Sequence, residues 1–458
     1  MNKSLLLLCL ITLVGLFSFL ADPEDDPVPI PPSQQRMNGD VEKGYQYLVG
    51  GDYVKGGVPE NIFRMGIGKP EILLQRDSLN KGIPHEYTAV RADNGEILIA
   101  PNCLQCHAQV FEGKLYIGLG NSFADFSDRE TLNNDRLVKA EKFLKTLHPK
   151  KYRAAAPFFE VAKTVGPYLY TETRGVNAAD RLAAVLAAHR EPVTFRWQKE
   201  AALDIPDQVI PTDVPAWWIL KKKNGIFYNG FGRGDFGRFL MASNLLTVTD
   251  TSESAEVDRH MPDVLAYLRS IQPPPYPRST NPELVNKGRL VFNDYCSGCH
   301  GRYDEAAHYP NLLIPQSIIQ TDSLLHSANY SNPQFVEWFN RSWFTTGDHP
   351  ARLEPYKGYI APPLDGIWIT APYLHNGSVP TLDALLNSRI RPTYWARDFV
   401  NPVYDYQSIG WTYTVKTAGG SNLIYNTTLP GYSNKGHYFG DGLSDQERKA
   451  VIEYLKTL

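Results

Sequence analysis

The chain has 458 residues, 43% apolar and 21% charged, enough for two or three domains with ordinary cores. Its 46 basic and 49 acidic residues leave a net charge of −3, without the basic excess of a nucleic-acid binder. The 34 prolines and 12% aromatic content exclude a coiled coil or a wholly disordered chain and predict long, tied-down loops.

Lys3 precedes an apolar run from Leu5 to Leu20, and Ala21-Asp22-Pro23-Glu24-Asp25-Asp26 then turns the chain acidic. This reads as a secretory signal over residues 1–21, carrying Cys9 with it, and places the protein in the periplasm or outside the cell. Residues 22–38, acidic and rich in proline, read as a disordered leader. No later stretch is long and apolar enough for a membrane span, so none is expected in the mature chain.

A first domain is read over residues 39–272 and a second over 281–458. The linker between them, 273–280, is stiffened by Pro273-Pro274-Pro275-Tyr276-Pro277. The first domain closes on the helical pattern Asp263-Val264-Leu265-Ala266-Tyr267-Leu268-Arg269-Ser270-Ile271. After the linker, Asn281 caps a helix, Pro282 takes its first position, and Leu284, Gly288, Val291, Phe292 and Tyr295 share a face. Gly288 permits a close helix crossing. Trp411, Tyr413 and Val415 alternate, Gly419-Gly420 turns, and Leu423 and Tyr425 resume, which predicts a β-hairpin insertion over 410–428. Ser444 and Glu447 form a capping box ahead of a closing helix with the stripe Val451, Leu455 and Leu458. That helix echoes the close of the first domain. Pro362 with His375-Asn376-Gly377 likewise echoes Pro215 with Tyr228-Asn229-Gly230, so two related halves are expected.

All four cysteines after Cys9 fall into one pattern: Cys103-Leu104-Gln105-Cys106-His107 and Cys296-Ser297-Gly298-Cys299-His300. On a helical turn, positions i, i+3 and i+4 share a face. Two thiols there reach the two vinyl groups of one haem as thioethers, and the adjacent imidazole reaches the iron. A zinc site of four cysteines would need the pairs brought together and would leave both histidines unexplained; disulfides leave them equally unexplained. The reading is two covalently bound c-type haems, held by Cys103 and Cys106 with His107 as iron ligand, and by Cys296 and Cys299 with His300. A leading and a closing helix around such a motif resemble a class I cytochrome c domain. The expected fold class is therefore mainly α: two class I cytochrome c-like helical domains with long loops and a small β-hairpin insertion in the second.

With these motifs, the chain resembles the bacterial di-haem cytochrome c peroxidase superfamily, which includes the methylamine-utilisation di-haem enzyme and rubber oxygenase. The sharpest stretch runs from Pro362-Pro363-Leu364 through Thr370-Ala371-Pro372-Tyr373-Leu374-His375-Asn376-Gly377-Ser378. Its Asn-Gly-Ser form, with Ser433-Asn434-Lys435-Gly436-His437 downstream, looks closest to the rubber-oxygenase side. The resemblance implies a calcium ion between the domains, bound by backbone carbonyls of Thr370 and Pro372 and by Asp213 at the family's asparagine position. The alternative is an ordinary surface carboxylate beside a buried proline turn. The family's distal histidine has no counterpart, because no histidine lies between His107 and His148. Its glutamate motif is absent from Met241-Ala242-Ser243-Asn244-Leu245-Leu246. Its tryptophan between the haems is matched by Tyr228, the candidate electron relay, with Trp217 or Trp218 as substitutes.

No methionine follows Met261, so a His/Met pair from its own domain is closed to the second haem. The resemblance favours His437 as its sixth ligand, with His375 as second choice. Met65, Met241, Met261, His85 and His148 all remain open for the first haem. Three functions compete: an oxidoreductase with one open haem for peroxide or dioxygen and a second for electron transfer, a non-catalytic electron carrier, and a haem-based sensor. The expected partner is an electron donor or acceptor such as a small cytochrome or blue-copper protein, with no nucleic acid.

Overall fold

The computed structural model describes residues 26–76, 78–128 and 135–458. The signal read over residues 1–21 lies outside the described residues. Regular structure is mainly helical, with several small sheets. No helix among the described residues is long and apolar enough to cross a membrane.

Two helix crossings organise the molecule. In the first half, α1 (Val41–Gly50) packs against α2 (Thr251–Ser270). In the second, α3 (Pro282–Tyr295) packs against α4 (Asp445–Leu455). Asn281 accepts from the backbone N–H groups of Glu283 and Leu284, and the Ser444–Glu447 capping box is complete. Both crossings need a glycine. A β-carbon on Gly288 would overlap the Ala450 carbonyl, and one on Gly44 would overlap the Asp263 carbonyl. The echoed turns also share a backbone. Phe227 and Gly230 have φ of 70° and 61°, and Leu374 and Gly377 have 66° and 68°. Each turn is closed by an antiparallel bridge, Ile226 to Gly232 and Tyr373 to Val379.

The cores interleave across the proline stretch. Trp338, Phe339 and Phe344 complete the first half's core around Leu104, Trp217 and Val264. Phe111, Ala216, Trp218 and Ile219 enter the second half's core beside Phe292, Leu364 and Val451. The proline stretch is itself packed: the Trp368 indole N–H donates to the Pro274 carbonyl at 2.9 Å, and the Tyr276 hydroxyl to that of Tyr406 at 3.0 Å.

Two expectations need correction. The leader is not disordered from Asp26 onward. β1 (Val28–Pro29) pairs antiparallel with β2 (Leu312–Pro315), which also pairs with β3 (Gly358–Ile360). Ile30 is buried, and Arg36 forks onto Asp235 at 2.7 and 3.0 Å and reaches Asp258 at 2.8 Å. Polar composition suggested disorder, but an edge strand tolerates proline, and the arginine finds the buried Asp235 and the half-buried Asp258. The insertion is not a hairpin either. β5 (Tyr413–Val415) and β6 (Tyr425–Asn426) do not pair with each other; both flank β4 (Tyr394–Arg397). The central strand precedes them in the chain, and its Trp395 stacks on Tyr425 at 5.2 Å.

Candidate functional site

At the second motif, the turn Ser297–His300 follows α3 directly. A backbone carbonyl can only accept, so the 2.8 Å contact from His300 Nδ1 to the Pro362 oxygen places the ring proton on Nδ1 and leaves Nε2 free. Opposite stands His437, with ring centres 6.1 Å apart. Two imidazoles each bound at about 2 Å, the usual metal–nitrogen length, would bring their ring centres roughly 6 Å apart. The loop carrying His437 is gripped by Arg391, which donates to the carbonyls of Asn434 at 2.8 Å, Gly436 at 2.7 Å and His437 at 3.1 Å. His437 itself takes a left-handed φ of 48°, and its N–H donates to Ile319 O at 2.8 Å. Its Nδ1 is buried without a hydrogen-bond partner. Burial, then the neighbouring His300 and Arg391, pull its pKa down to about 3, so the ring is neutral, the form that ligates metal.

These groups line a cavity of about 250 Å³ with Cys296, Cys299, Phe292, Leu382, Leu386 and Val451. Burial, reinforced by Cys299, pushes the Cys296 thiol up to about 11, so it is neither a ready thiolate nucleophile nor a metal ligand. The four described cysteines form no disulfide, and no cluster of three or more His, Cys, Asp or Glu among the described residues could hold a metal. An apolar cavity with paired thiols at one wall and two facing neutral imidazoles fits a haem.

At the first motif, Asn102 Oδ1 accepts from the Leu104 N–H at 2.9 Å and the Tyr53 hydroxyl accepts from the Cys103 N–H at 3.2 Å. Burial, with Cys103 beside it, holds the Cys106 thiol up to about 12. His107 Nδ1 is buried without a hydrogen-bond partner, and its ring lies flat on Trp217, centres 4.4 Å apart and planes 14° apart. Burial alone pulls His107 down to about 3. The next residue, Trp218, donates its indole N–H to the Asp365 carbonyl at 2.7 Å. Asp365 is three residues beyond Pro362, the acceptor for His300. The paired tryptophans therefore connect the surroundings of the two motif histidines.

Between the halves, the echoed turns bring Tyr228 and His375 edge to face, ring centres 6.4 Å apart. The Tyr228 hydroxyl donates to Asp213 Oδ2 at 2.8 Å, and the Asp213 N–H donates to the His375 carbonyl at 2.8 Å. His375 stacks on Tyr359 at 4.3 Å, with its Nε2 3.2 Å from the Tyr359 hydroxyl. His437, not His375, is thus the ring across from His300. Asp213, Thr370 and Pro372 do line one wall of the same cavity. Their fit to calcium is poor. Asp213 is the one carboxylate of the set, Tyr228 occupies one of its oxygens, and the buried guanidinium of Arg397 acts electrostatically on it. Sequence reasoning missed Arg391 and Arg397. One precedes a proline and the other ends an aromatic run, and only the tertiary fold reveals what each holds.

Residues 358–396 match the family model of RoxA-like, cytochrome c-like domains. The matched segment contains Pro362, Thr370, Pro372 and His375. The match supports a relationship to rubber oxygenase-like cytochromes, and a cytochrome c-like domain implies a haem cofactor. Two proteins of Sinorhizobium fredii (strain NBRC 101917 / NGR234) are similar in sequence. Uncharacterized protein y4iJ is 46% identical over 253 residues, 41% of this chain and 41% of that protein. Uncharacterized protein y4iM is 26% identical over 297 residues, 56% of this chain and 66% of that protein. The chain thus spans less than two thirds of the length of either relative.

Proposed function

We propose that the protein is an exported di-haem c-type cytochrome acting as an oxidoreductase: one haem is open to peroxide or dioxygen, and the other passes electrons. The observation that carries the reading is the facing pair His300 and His437 across an apolar cavity walled by Cys296 and Cys299. Those four residues would hold one haem, and Cys103, Cys106 and His107 the other. When bound, haem supplies one-electron chemistry and small-ligand binding that no side chain offers.

The chain's own residues set the division of labour. Pro362 fixes the His300 tautomer, and Arg391 holds the loop that delivers His437, so these two histidines would both hold the second group. At the first motif the ring stacked on His107 is Trp217. The Trp217–Trp218 pair, running from His107 toward the Asp365 carbonyl, is the electron route between the centres. Tyr228, tied to Asp213 and lining the cavity of the second motif, is the other candidate relay. The electron partner is a small cytochrome or a blue-copper protein. The sequence lacks the peroxidases' distal histidine between His107 and His148 and their glutamate motif at Met241–Leu246. General acid–base help is worth about a hundred- to ten-thousand-fold, so peroxide turnover with artificial donors is expected to be weak.

The test is spectroscopic. His437→Ala should convert one low-spin haem to high-spin while leaving cyanide or carbon monoxide binding at the other intact. An unchanged spectrum in that variant overturns the ligand assignment. Absence of any external-ligand binding in either redox state overturns the open first site and favours a pure electron carrier.

A further inference from the structure

We propose that Arg397 occupies, as a permanent part of the chain, the role that the family resemblance assigns to an interdomain calcium ion, so that the junction between the halves is held without metal. This inference does not depend on the haem reading.

Arg397 closes β4 in the second half, yet its guanidinium is buried against the first half. Nη2 donates to the Ser122 carbonyl, and Nη1 to the Ser122 hydroxyl at 3.3 Å. That hydroxyl lies 3.4 Å from the Ala371 carbonyl, at the centre of the Thr370–Pro372 segment. Arg397 and Pro372 also line one small pocket with Gly175, where a β-carbon would crowd Nη2. Phe123 and Phe399 face the guanidinium at 4.7 and 4.8 Å, with Trp411 at 6.0 Å, a geometry that favours a cation over a neutral group. Its Nε has no hydrogen-bond partner, so this cation is held by packing and by charge as much as by donors.

The charge it answers is Asp213. Burial pulls the guanidinium down to about 9, and Asp213 opposes that fall, so it stays protonated at neutral pH. Arg174 stands over the same Phe399 ring at 4.6 Å and adds a second guanidinium to the field that Asp213 answers. Calcium sites take their affinity from the number of charged oxygen ligands, and here the single carboxylate is already hydrogen-bonded by Tyr228 and balanced by arginine. A calcium ion would be placed beside fixed cations in a medium of low dielectric.

The experiment uses the full haem-loaded protein and calcium alone as probe. Wild-type protein dialysed against chelator should contain no stoichiometric calcium, and its melting temperature should not change when calcium is added back. Arg397→Gln keeps a donor for Ser122 but removes the charge. It should acquire calcium binding and a melting temperature that rises by several degrees with calcium. Arg397→Lys keeps the charge and should stay indifferent. Stoichiometric calcium in the wild type, or an Arg397→Gln protein as indifferent as Arg397→Lys, overturns the proposal. If Arg397→Gln does not fold, Asp213→Asn decides. It should lower the melting temperature equally with and without calcium, whereas loss of a calcium response present in the wild type would refute the substitution.

Discussion

The two Cys-x-x-Cys-His turns are nearly superimposable in backbone hydrogen bonding and opposite in their surroundings. In each, the histidine N–H donates to the first cysteine's carbonyl at 3.0 Å. Beyond that turn they diverge. His300 is anchored on Pro362 and faces His437 across a cavity, whereas His107 has no partner for Nδ1 and lies against Trp217. The attachment motif is a local device, complete within five residues. What each metal would be asked to do is decided by elements far along the chain: the loop held by Arg391 in one half, the tryptophan pair in the other.

The comparison breaks most sharply on stoichiometry. Replacing both cysteines of either motif by serine should remove one of two covalent haems, so a pyridine haemochrome assay should fall by half in each variant and to nothing in the quadruple variant. A wild-type count of one would mean that only one turn is a haem site, and the cavity at Cys296 and Cys299 marks which.

What was legible in the sequence follows the same divide. The motif turns, the Asn281 and Ser444 caps and the glycine crossing at Gly288 are written in short-range patterns, and each has a mechanism that acts within a few residues. The echo of Tyr228-Asn229-Gly230 with His375-Asn376-Gly377 survived as shared left-handed backbone. The matching crossing at Gly44 has no comparable signal, because no haem motif follows α1 directly to mark it as a domain-opening helix. The packed leader and the three-stranded sheet were misread because their partners lie far off in sequence. Val28 pairs with Leu313, and Trp395 pairs with both Val415 and Tyr425. The roles of Arg391 and Arg397 have no local signal at all.

The paired crossings sharpen the comparison at moderate cost. Gly44→Ala and Gly288→Ala each put a β-carbon into a facing carbonyl, which should cost about 1–3 kcal/mol in denaturant unfolding. If the halves are built alike, the two losses should be similar. A loss confined to Gly288→Ala would show that the first half does not depend on its crossing.

The smallest effect is the acid response of the second half. The second half holds buried neutral His326 close to the His375 cluster, with its Nδ1 unpartnered and its Nε2 3.1 Å from Gln316 Oε1. Burial, and then Lys357, pull it from 6.5 down to about 4. The unfolded chain takes up a proton as pH falls through 6.5, but the folded one does not until about 4. The stability of the neutral state is therefore fully present above 6.5 and is lost progressively between those values. One pH unit below 6.5 the loss from this group is on the order of 1 kcal/mol. His300 and His437 would be held by metal in the loaded protein, so His326 is the cleaner probe. In urea unfolding of the holoprotein at pH 7.5 and 5.5, His326→Gln should be less acid-sensitive than the wild type by about that amount. Equal sensitivity in the two proteins would mean that the acid response of this half comes from other buried groups and that His326 titrates as freely in the fold as outside it.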